Sequence, residues 1–172
     1  MNGYEFVKSV LSQTDNDLKP LINITDGKET EWLEFKAASL PLPDEDTKAT
    51  RAELCWNIAK SIAAIANSVG GALLLGISDD AEVVQLEGSG FKDKDQFTRK
   101  IMDEIIAPKA GHWKDDKSKW VSNIGLENFV AFRWAAYESQ PILVLLVKPN
   151  TDRRYIEFEC NTKSVISNKV PR

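Results

Sequence analysis

Histidine and cysteine are scarce in this sequence of 172 residues, which contains one histidine and two cysteines. A structural zinc site takes about four such ligands, so the composition excludes a zinc framework. Both cysteines, Cys55 and Cys160, lie in apolar patterns. We therefore expect reduced and buried thiols and no disulfide.

Long hydrophobic runs are also missing, since the longest one covers only residues 142–147. A transmembrane helix needs about 20 apolar residues, so the sequence predicts no membrane span. The first residues lack the basic and apolar regions of a secretory signal peptide. No G-x-x-x-x-G-K-[ST] loop is present, which excludes that class of nucleotide site. These absences predict a cytoplasmic protein.

Basic side chains are fewer than acidic ones, since 22 basic and 26 acidic side chains give a net charge of −4. This balance does not favour bulk binding to nucleic acid. The distribution is uneven: residues 1–91 carry 7 basic and 15 acidic side chains, and residues 92–172 carry 15 and 11. Ordinary scatter is one interpretation. The other is an acidic cluster that faces a basic wall, as a metal-using nuclease requires.

The best-defined pattern that the sequence does contain covers residues 50–80. Apolar residues at helical spacing predict a helix, with Thr50 as its N-cap and Glu53 as the partner in a capping box. Gly70 and Gly71 end this helix.

A short apolar run over residues 72–77 follows the glycines and is typical of a strand covered on both faces. Residues 78–80 then form a polar turn. Residues 82–86 are the predicted return strand of a hairpin.

The other predicted elements lie on both sides of this unit. They are a short helix over residues 4–11, a connector over 18–24, a half-buried strand over 31–37, a second helix after Asp93, a basic loop over 109–119, and strands over 121–124, 129–137, 142–148, 155–160 and 164–167. The pattern predicts an α+β fold, with a mixed or antiparallel sheet of about five or six strands and two main helices.

The length suits a single domain over residues 1–172. The last residues supply no closing element, so the N-terminal part of a longer protein is an open alternative. A homodimer and further domains of a longer chain are open as well.

Two motifs occur one after the other along the chain. Residues 29–36 read ETEWLEFK, and residues 67–80 read NSVGGALLLGISDD. The first resembles the E-x-x-x-x-E-F-K motif of the Schlafen AlbA-like domain family. The second resembles that family's N-x-x-G-G, strand and acidic turn. The resemblance covers about residues 28–86 and implies a nucleic-acid-acting domain, in a family that includes both nucleases and binding modules.

The resemblance also implies a site. In ribonuclease members, two glutamates of the first motif and an aspartate after the glycine strand form a three-carboxylate site, which corresponds here to Glu29, Glu34 and Asp79 as catalytic and metal-binding residues. Carboxylates suit Mg²⁺ or Mn²⁺, which can polarise a phosphoryl oxygen. The family's aspartate aligns with Ser78, so Asp79 or Asp80 takes its place only if the turn is shifted by one residue.

The spacing sets a geometric condition on the two glutamates. Positions 29 and 34 would face apart on one regular strand. They converge only if Glu29 sits in the turn at residues 26–28 or if a bulge intervenes. The alternatives are a solvated turn residue for Glu29, a salt bridge for Glu34 and a plain hairpin turn for Asp79.

Basic residues complete the candidate site. Lys36 follows Glu34 on the same strand face and is expected either to hold a phosphate or to form a surface ion pair. His112 is expected to be a surface residue, and Asn67 to support the following turn. Further candidate contacts to nucleic acid, with a solvated charged loop as the alternative, are Lys92, Lys94, Arg99, Lys100, Lys109, Lys114, Lys117 and Lys119.

Two classes of function follow from the sequence. The first is a nucleic-acid-acting domain that is a divalent-metal-dependent endonuclease on RNA. The second is a non-catalytic DNA- or RNA-binding or interaction module of a regulatory or defence protein. Enzymatic activity is left open between them.

Overall fold

The computed structural model describes residues 2–37, 47–84, 94–106, 110–113, 118–152, 154–161 and 168–169. Within them the helices are α1 (Gly3–Gln13), α2 (Lys19–Ile24), α3 (Thr47–Asn67) and α4 (Lys94–Ile101), with a π-helical turn at Met102–Ile106 and a 3-10 turn at Leu126–Asn128. The strands are β1 (Leu33–Lys36), β2 (Gly71–Leu75), β3 (Ala110–Trp113), β4 (Ser118–Ser122), β5 (Val130–Tyr137), β6 (Gln140–Val147), β7 (Phe158–Asn161) and β8 (Asn168–Lys169). The predicted α+β class is confirmed.

The chain divides into two compact units, which are described separately. The first contains residues 1–39, 65–86 and 129–151, and the second contains residues 40–64, 87–128 and 152–172. The described strands form two four-stranded sheets, with the orders β1-β2-β6-β5 and β3-β4-β7-β8. The strands expected in one sheet are therefore shared between two, and the first sheet is mixed. The single domain over residues 1–172 stays a prediction.

The first sheet is built around β2, whose residues are all buried, as predicted for a strand covered on both faces. Strand β2 runs parallel to β1 and antiparallel to β6, and β6 pairs antiparallel with β5. Parallel strands end at the same edge of a sheet. The end of β1 therefore lies beside the turn that follows β2, and this edge carries the candidate site.

Helices α1 and α2 supply apolar side chains to the core of the first unit. The core includes Val7, Leu11, Leu21, Leu33, Phe35, Leu74 and Val144. Along β1 the buried residues alternate with half-buried Glu34 and Lys36, which confirms the predicted strand pattern. Just before β1, the ring of Trp32 packs edge-to-face on Phe6, with centroids 5.2 Å apart.

Glycines allow close packing at the start of β2. Gly70 has a φ of +69°, and its N–H donates to the carbonyl of Ile65 at 3.0 Å, which ends α3 as predicted. A Cβ on Gly71 would lie 1.9 Å from the carbonyl oxygen of Trp32, and one on Gly3 would lie 2.3 Å from that of Gly70. These glycines are needed because backbone meets backbone here.

Two helix predictions are corrected. Helix α3 begins at Thr47, so Thr50 lies inside it and is not the N-cap. Lysine and alanine precede Thr50, and both favour a helix. The predicted connector around Pro20 is helix α2. Proline is tolerated in the first helical turn because the N–H it lacks has no partner there.

Two predictions around turns are also corrected. Within residues 82–84 the predicted return strand is reduced to one bridge between Ile77 and Val83. Ala81, just before residue 82, has a positive φ of 60°. The chain therefore reverses direction in a tight turn here, which a longer strand ladder would not need. The predicted basic loop contains β3 and the start of β4, which pair antiparallel. The strand predicted over residues 164–167 lies outside the described residues.

The second unit joins β4 to β7 through both backbone and side chains. The amide of Asn123 donates to the carbonyl of Tyr155 and accepts from the N–H of Glu157, both at 2.9 Å. The rings of Trp56 and Phe158 pack edge-to-face at 5.2 Å. In the described part of the chain, no helix has the length and apolar character needed to cross a membrane.

Candidate functional site

Glu29 lies before β1, and the local turn sends its side chain back along that strand. The Thr30 hydroxyl accepts from the N–H groups of Trp32 at 3.3 Å and Leu33 at 3.1 Å. Glu29 Oε1 then accepts from the N–H of Phe35 at 2.8 Å. Glu29 therefore precedes the strand but does not sit in the predicted turn at residues 26–28, because the turn that redirects its side chain is formed by Thr30, after it. Glu29 is thus bonded to the backbone of the edge strand, which protects an otherwise open N–H.

Lys36 connects the two glutamates. Its Nζ lies 2.9 Å from Glu34 Oε1 and 3.6 Å from Glu29 Oε1, so the two carboxylate oxygens are no further apart than the sum of these distances. The Nζ also donates to the carbonyl of Phe35 at 2.8 Å. The side chains of Lys36 and Glu34 are only 22% and 25% exposed, which removes part of the screening by water.

Asp79 lies in the turn after β2, and its charge acts on Lys36. The preceding Ser78 forms that turn: its N–H donates to the carbonyl of Glu82 at 2.8 Å, and its hydroxyl accepts from the N–H of Glu82 at 3.2 Å. Ser78 therefore stabilises this turn through its hydrogen bonds to the backbone of Glu82, and the neighbouring Asp79 is exposed to solvent. We call Glu29, Glu34, Lys36 and Asp79 the carboxylate–lysine cluster.

The electrostatics of the cluster act on Lys36. Burial by itself lowers the pKa of Lys36, because it disfavours the charged form. The hydrogen bond and charge of Glu34, with the charges of Glu29 and Asp79, outweigh burial and raise the pKa above its ordinary value of 10.5. Lys36 is therefore an ammonium ion at neutral pH, and all three predicted acids act on it.

The ligand atoms of the cluster and their arrangement decide whether it fits a metal ion. Its carboxylate oxygens are the ligands that Mg²⁺ and Mn²⁺ prefer. Among the residues whose placement is described, however, no group of three or more His, Cys, Asp or Glu side chains is arranged to hold a metal ion. One oxygen of Glu29 accepts from a backbone N–H, and Glu34 is paired with Lys36. As arranged, the cluster holds an ammonium and does not fit a divalent cation.

The chain matches one family of known proteins over a range that includes the cluster. The family model described as "Schlafen, AlbA_2" matches residues 29–167, which is most of the chain, and the match begins at Glu29. The chain belongs to the Schlafen AlbA_2 family. Membership confirms the resemblance of the two motifs and indicates a nucleic-acid-related domain.

This Schlafen AlbA_2 chain was also compared with curated proteins and with solved structures. No curated protein matches it. A solved structure, that of the DIP2311 protein from Corynebacterium diphtheriae, is similar with a TM-score of 0.41 and 20% identity. The match covers 76% of this chain and 22% of that one, so this chain spans less than a quarter of that protein's length.

The other predicted contacts of the Schlafen AlbA_2 chain lie in the second unit. Lys94 and Arg99 are exposed on α4. The backbones of Lys100, Lys119 and His112 lie in α4, β4 and β3, and their side chains are outside the described part. The remaining predicted contacts, Lys92, Lys109, Lys114 and Lys117, fall outside the described residues.

Two residues near the motifs have roles that the sequence suggested only in part. Asn67 Oδ1 accepts from the side-chain amide of Asn150 at 3.4 Å, in keeping with a structural role for Asn67. The partner Asn150 was not foreseen, because 83 residues separate the two positions. Thr30 was also missed, although a threonine two residues before Trp32 is a recognisable turn signal.

Proposed function

We propose that this Schlafen AlbA_2 chain binds nucleic acid and that the carboxylate–lysine cluster lies at the place where the first unit meets the phosphate backbone. One observation carries the proposal. The two family motifs, separated along the chain by the whole of α3, meet at one sheet edge around Lys36. Half-buried charges gathered at a strand end are poorly explained by core packing, since burying charge costs free energy.

The cluster cannot attract a phosphate by charge alone. Its three acids outnumber Lys36, and a phosphate would meet net negative charge. Cations elsewhere must supply the attraction, and we propose Lys94 and Arg99, which are exposed in the first and last turns of α4. This proposal concerns their chemistry, since guanidinium and ammonium groups neutralise phosphates and release counterions.

A salt titration tests nucleic-acid binding. Fluorescence anisotropy with labelled single-stranded RNA and DNA, in EDTA, should show affinity that falls steeply with salt. Replacing Lys94 and Arg99 with Ala should lower the slope of log affinity against log salt by about 1.4, because each phosphate contact on a single strand contributes about 0.7. Lys60→Ala, at an exposed position on α3, is the matched control and should leave the slope unchanged. An absence of binding at about 50 mM salt would exclude the proposal.

Cleavage of RNA is the second candidate function. The specific observation that favours it is that Glu29 and Glu34, two of the three predicted catalytic and metal-binding residues, each place a carboxylate oxygen within 3.6 Å of Lys36 Nζ. Because the cluster as arranged does not fit a divalent cation, metal-dependent cleavage requires its side chains to rearrange, and the test is whether a structured RNA is cut with Mn²⁺ or Mg²⁺ and not with EDTA. Glu34→Ala should abolish the cleavage, whereas Lys28→Ala should retain it. Equal cleavage by wild type and Glu34→Ala would assign the activity to another site or to a contaminant.

A further inference from the structure

We propose that the second unit carries a surface on which a base of single-stranded nucleic acid stacks, with the ring of Tyr155 as the platform. The inference rests on the proposed function, because a chain that binds no nucleic acid has no base to stack. It adds a contact to a base, which the proposed phosphate contacts of Lys94 and Arg99 do not supply.

Burial alternates along the segment that leads into β7. Ile156 and Phe158 are buried. The residues beside and between them are exposed, namely Tyr155, Glu157 and Glu159. Glu159 is paired with Val121 of β4, so these two side chains lie on the same side of the sheet. We call this exposed side the outer face of the β4–β7 pair, and it carries Val121, Tyr155, Glu157 and Glu159.

Large apolar groups are exposed on the outer face. In the described part of the chain, three large hydrophobic side chains are exposed, and two of them, Val121 at 42% and Tyr155 at 53%, lie on this face. An aromatic ring exposed on a sheet is the kind of group on which the bases of single strands stack, since every base has a flat apolar surface. Tyr155 therefore has the chemistry of a stacking platform.

The backbone beneath the ring of Tyr155 is held by Asn123. The side-chain amide of Asn123 donates to the carbonyl of Tyr155 and accepts from the N–H of Glu157, both at 2.9 Å. The N–H of Asn123 also donates to the carbonyl of Glu157, at 3.1 Å. Three hydrogen bonds thus fix this segment to the end of β4. A platform that is already ordered loses little conformational entropy when a ligand binds.

The charges near the ring favour a base over a phosphate as its occupant. Glu157 and Glu159 lie on the outer face, and their carboxylates repel a phosphate. A base is uncharged, and its amino group can donate to a carboxylate, as that of cytosine does to glutamate. Arg154, the residue before Tyr155, is exposed and offers a guanidinium to the phosphate of the stacked nucleotide.

Anisotropy titrations with labelled single-stranded RNA test the role of the ring. Tyr155→Leu keeps an apolar side chain but removes the aromatic ring, so the affinity should fall about tenfold. The slope of log affinity against log salt should stay the same, because stacking releases no counterions. Tyr155→Phe should bind as wild type does, and so should Ile24→Ala, at an exposed apolar position of the first unit. A blunt RNA duplex, whose bases are stacked inside the helix, should not distinguish Tyr155→Leu from wild type.

A second measurement uses the wild-type chain, so it does not depend on the folding of a variant. The chain has three tyrosines, and the NMR signals of their rings can be followed as single-stranded RNA is added. The ring protons of Tyr155, identified by their loss in Tyr155→Phe, should shift upfield under a stacked base. The signals of Tyr4 and Tyr137 should stay constant.

The outcomes separate this inference from the proposed function. If RNA binds but the Tyr155 signals do not move, or if Tyr155→Leu binds single strands as tightly as wild type, the inference is overturned and the proposed function stands. The outer face would then be left for a protein partner. Equal weakening of duplex and single-strand binding by Tyr155→Leu would also overturn stacking. An absence of RNA binding by wild type would overturn both.

Discussion

The two ends of the β1–β2 pair differ in what meets there, which is backbone at one end and charged side chains at the other. At the start of β2, backbone approaches backbone, and a single Cβ on Gly71 would lie 1.9 Å from the oxygen of Trp32. At the end of β1, charged side chains gather at an edge that water still reaches, around Lys36. The first end tolerates no added atom, and the second holds charged groups that solvent can reach.

This difference separates what maintains the fold from what is available for function. A parallel pair places both strand ends together, so one pairing fixes the tight end and the charged end at once. We expect substitutions at the tight end to affect folding and those at the charged end to affect mainly charge and binding. The following predictions test this contrast, from the largest expected effect to the smallest.

Gly71→Ala should produce the largest loss. The new methyl group would clash with the backbone of Trp32, so β1 and β2 would have to separate. We expect a destabilisation of more than about 3 kcal/mol, in the range of severe overpacking. Urea unfolding followed by circular dichroism measures it. Ala72→Gly, one residue further along β2, is a matched control that removes a methyl group and should cost only about 1 kcal/mol. Wild-type stability in Gly71→Ala would contradict the tight packing.

Lys36→Met should produce an intermediate loss. Removing the ammonium takes away the ion pairs of Lys36 with Glu34 and Glu29. Lys36 and Glu34 are half-buried, so we expect about 1–3 kcal/mol, between the values for exposed and buried ion pairs. Lys28→Met removes an exposed pair with Asp26 and should change stability by less than about 0.5 kcal/mol. Equal unfolding midpoints for both variants would mean that burial adds nothing to the Lys36 contacts.

The contribution of Lys36 should also depend on pH. Glu34, Glu29 and Asp79 overcome the effect of burial and raise the pKa of Lys36, so the folded state keeps its proton more firmly than the unfolded state. The stability that Lys36 contributes is fully present below the unfolded pKa near 10.5 and is lost as pH rises through the raised folded value. The stability difference between wild type and Lys36→Met should thus be constant at neutral pH and shrink in alkaline solution. Thermal melts from pH 7 to about pH 12 would show it, and a difference that grows with pH would contradict the assignment.

Thr30→Val should have the smallest effect. The substitution keeps the shape but removes the hydroxyl that accepts from Trp32 and Leu33. We expect about 0.5–1.5 kcal/mol, the usual contribution of a hydrogen bond. Hydrogen exchange at the Phe35 amide should accelerate, because Glu29 would be held less firmly over it. Thr25→Val, which removes a hydroxyl that donates to the carbonyl of Ile22, is the control and should leave that amide unchanged.

The core of the first unit could be predicted because its signals are local. Alternation along β1 and the continuous apolar run of β2 report burial directly, since each side chain's face follows from its position. The parallel pairing could not be predicted, because pairing depends on how α3 returns the chain between the strands. Helix α2 was missed because a proline stops a helix in its interior but is tolerated in its first turn.

The candidate site, too, could be predicted only in part from the sequence. The motif supplied Glu29, Glu34 and Lys36 as residues, and their spacing supplied the condition that Glu29 precede the strand. The ion pair between Lys36 and Glu34 was one of the alternatives that the sequence left open, whereas the contact of Lys36 with Glu29 was out of reach because Glu29 precedes the strand. The turn at Thr30 and the pairing of β1 with β2 brought the acids to one ammonium.

By itself, then, the sequence determined the fold class and the family: an α+β chain with a Schlafen AlbA_2 motif pair. Those properties depend on residue type and on periods of a few residues. Only the tertiary structure decided that the acids of the cluster act on Lys36 and that Ser78 serves the turn. Such choices depend on distances between segments far apart in the chain, and pairing and burial fix those distances.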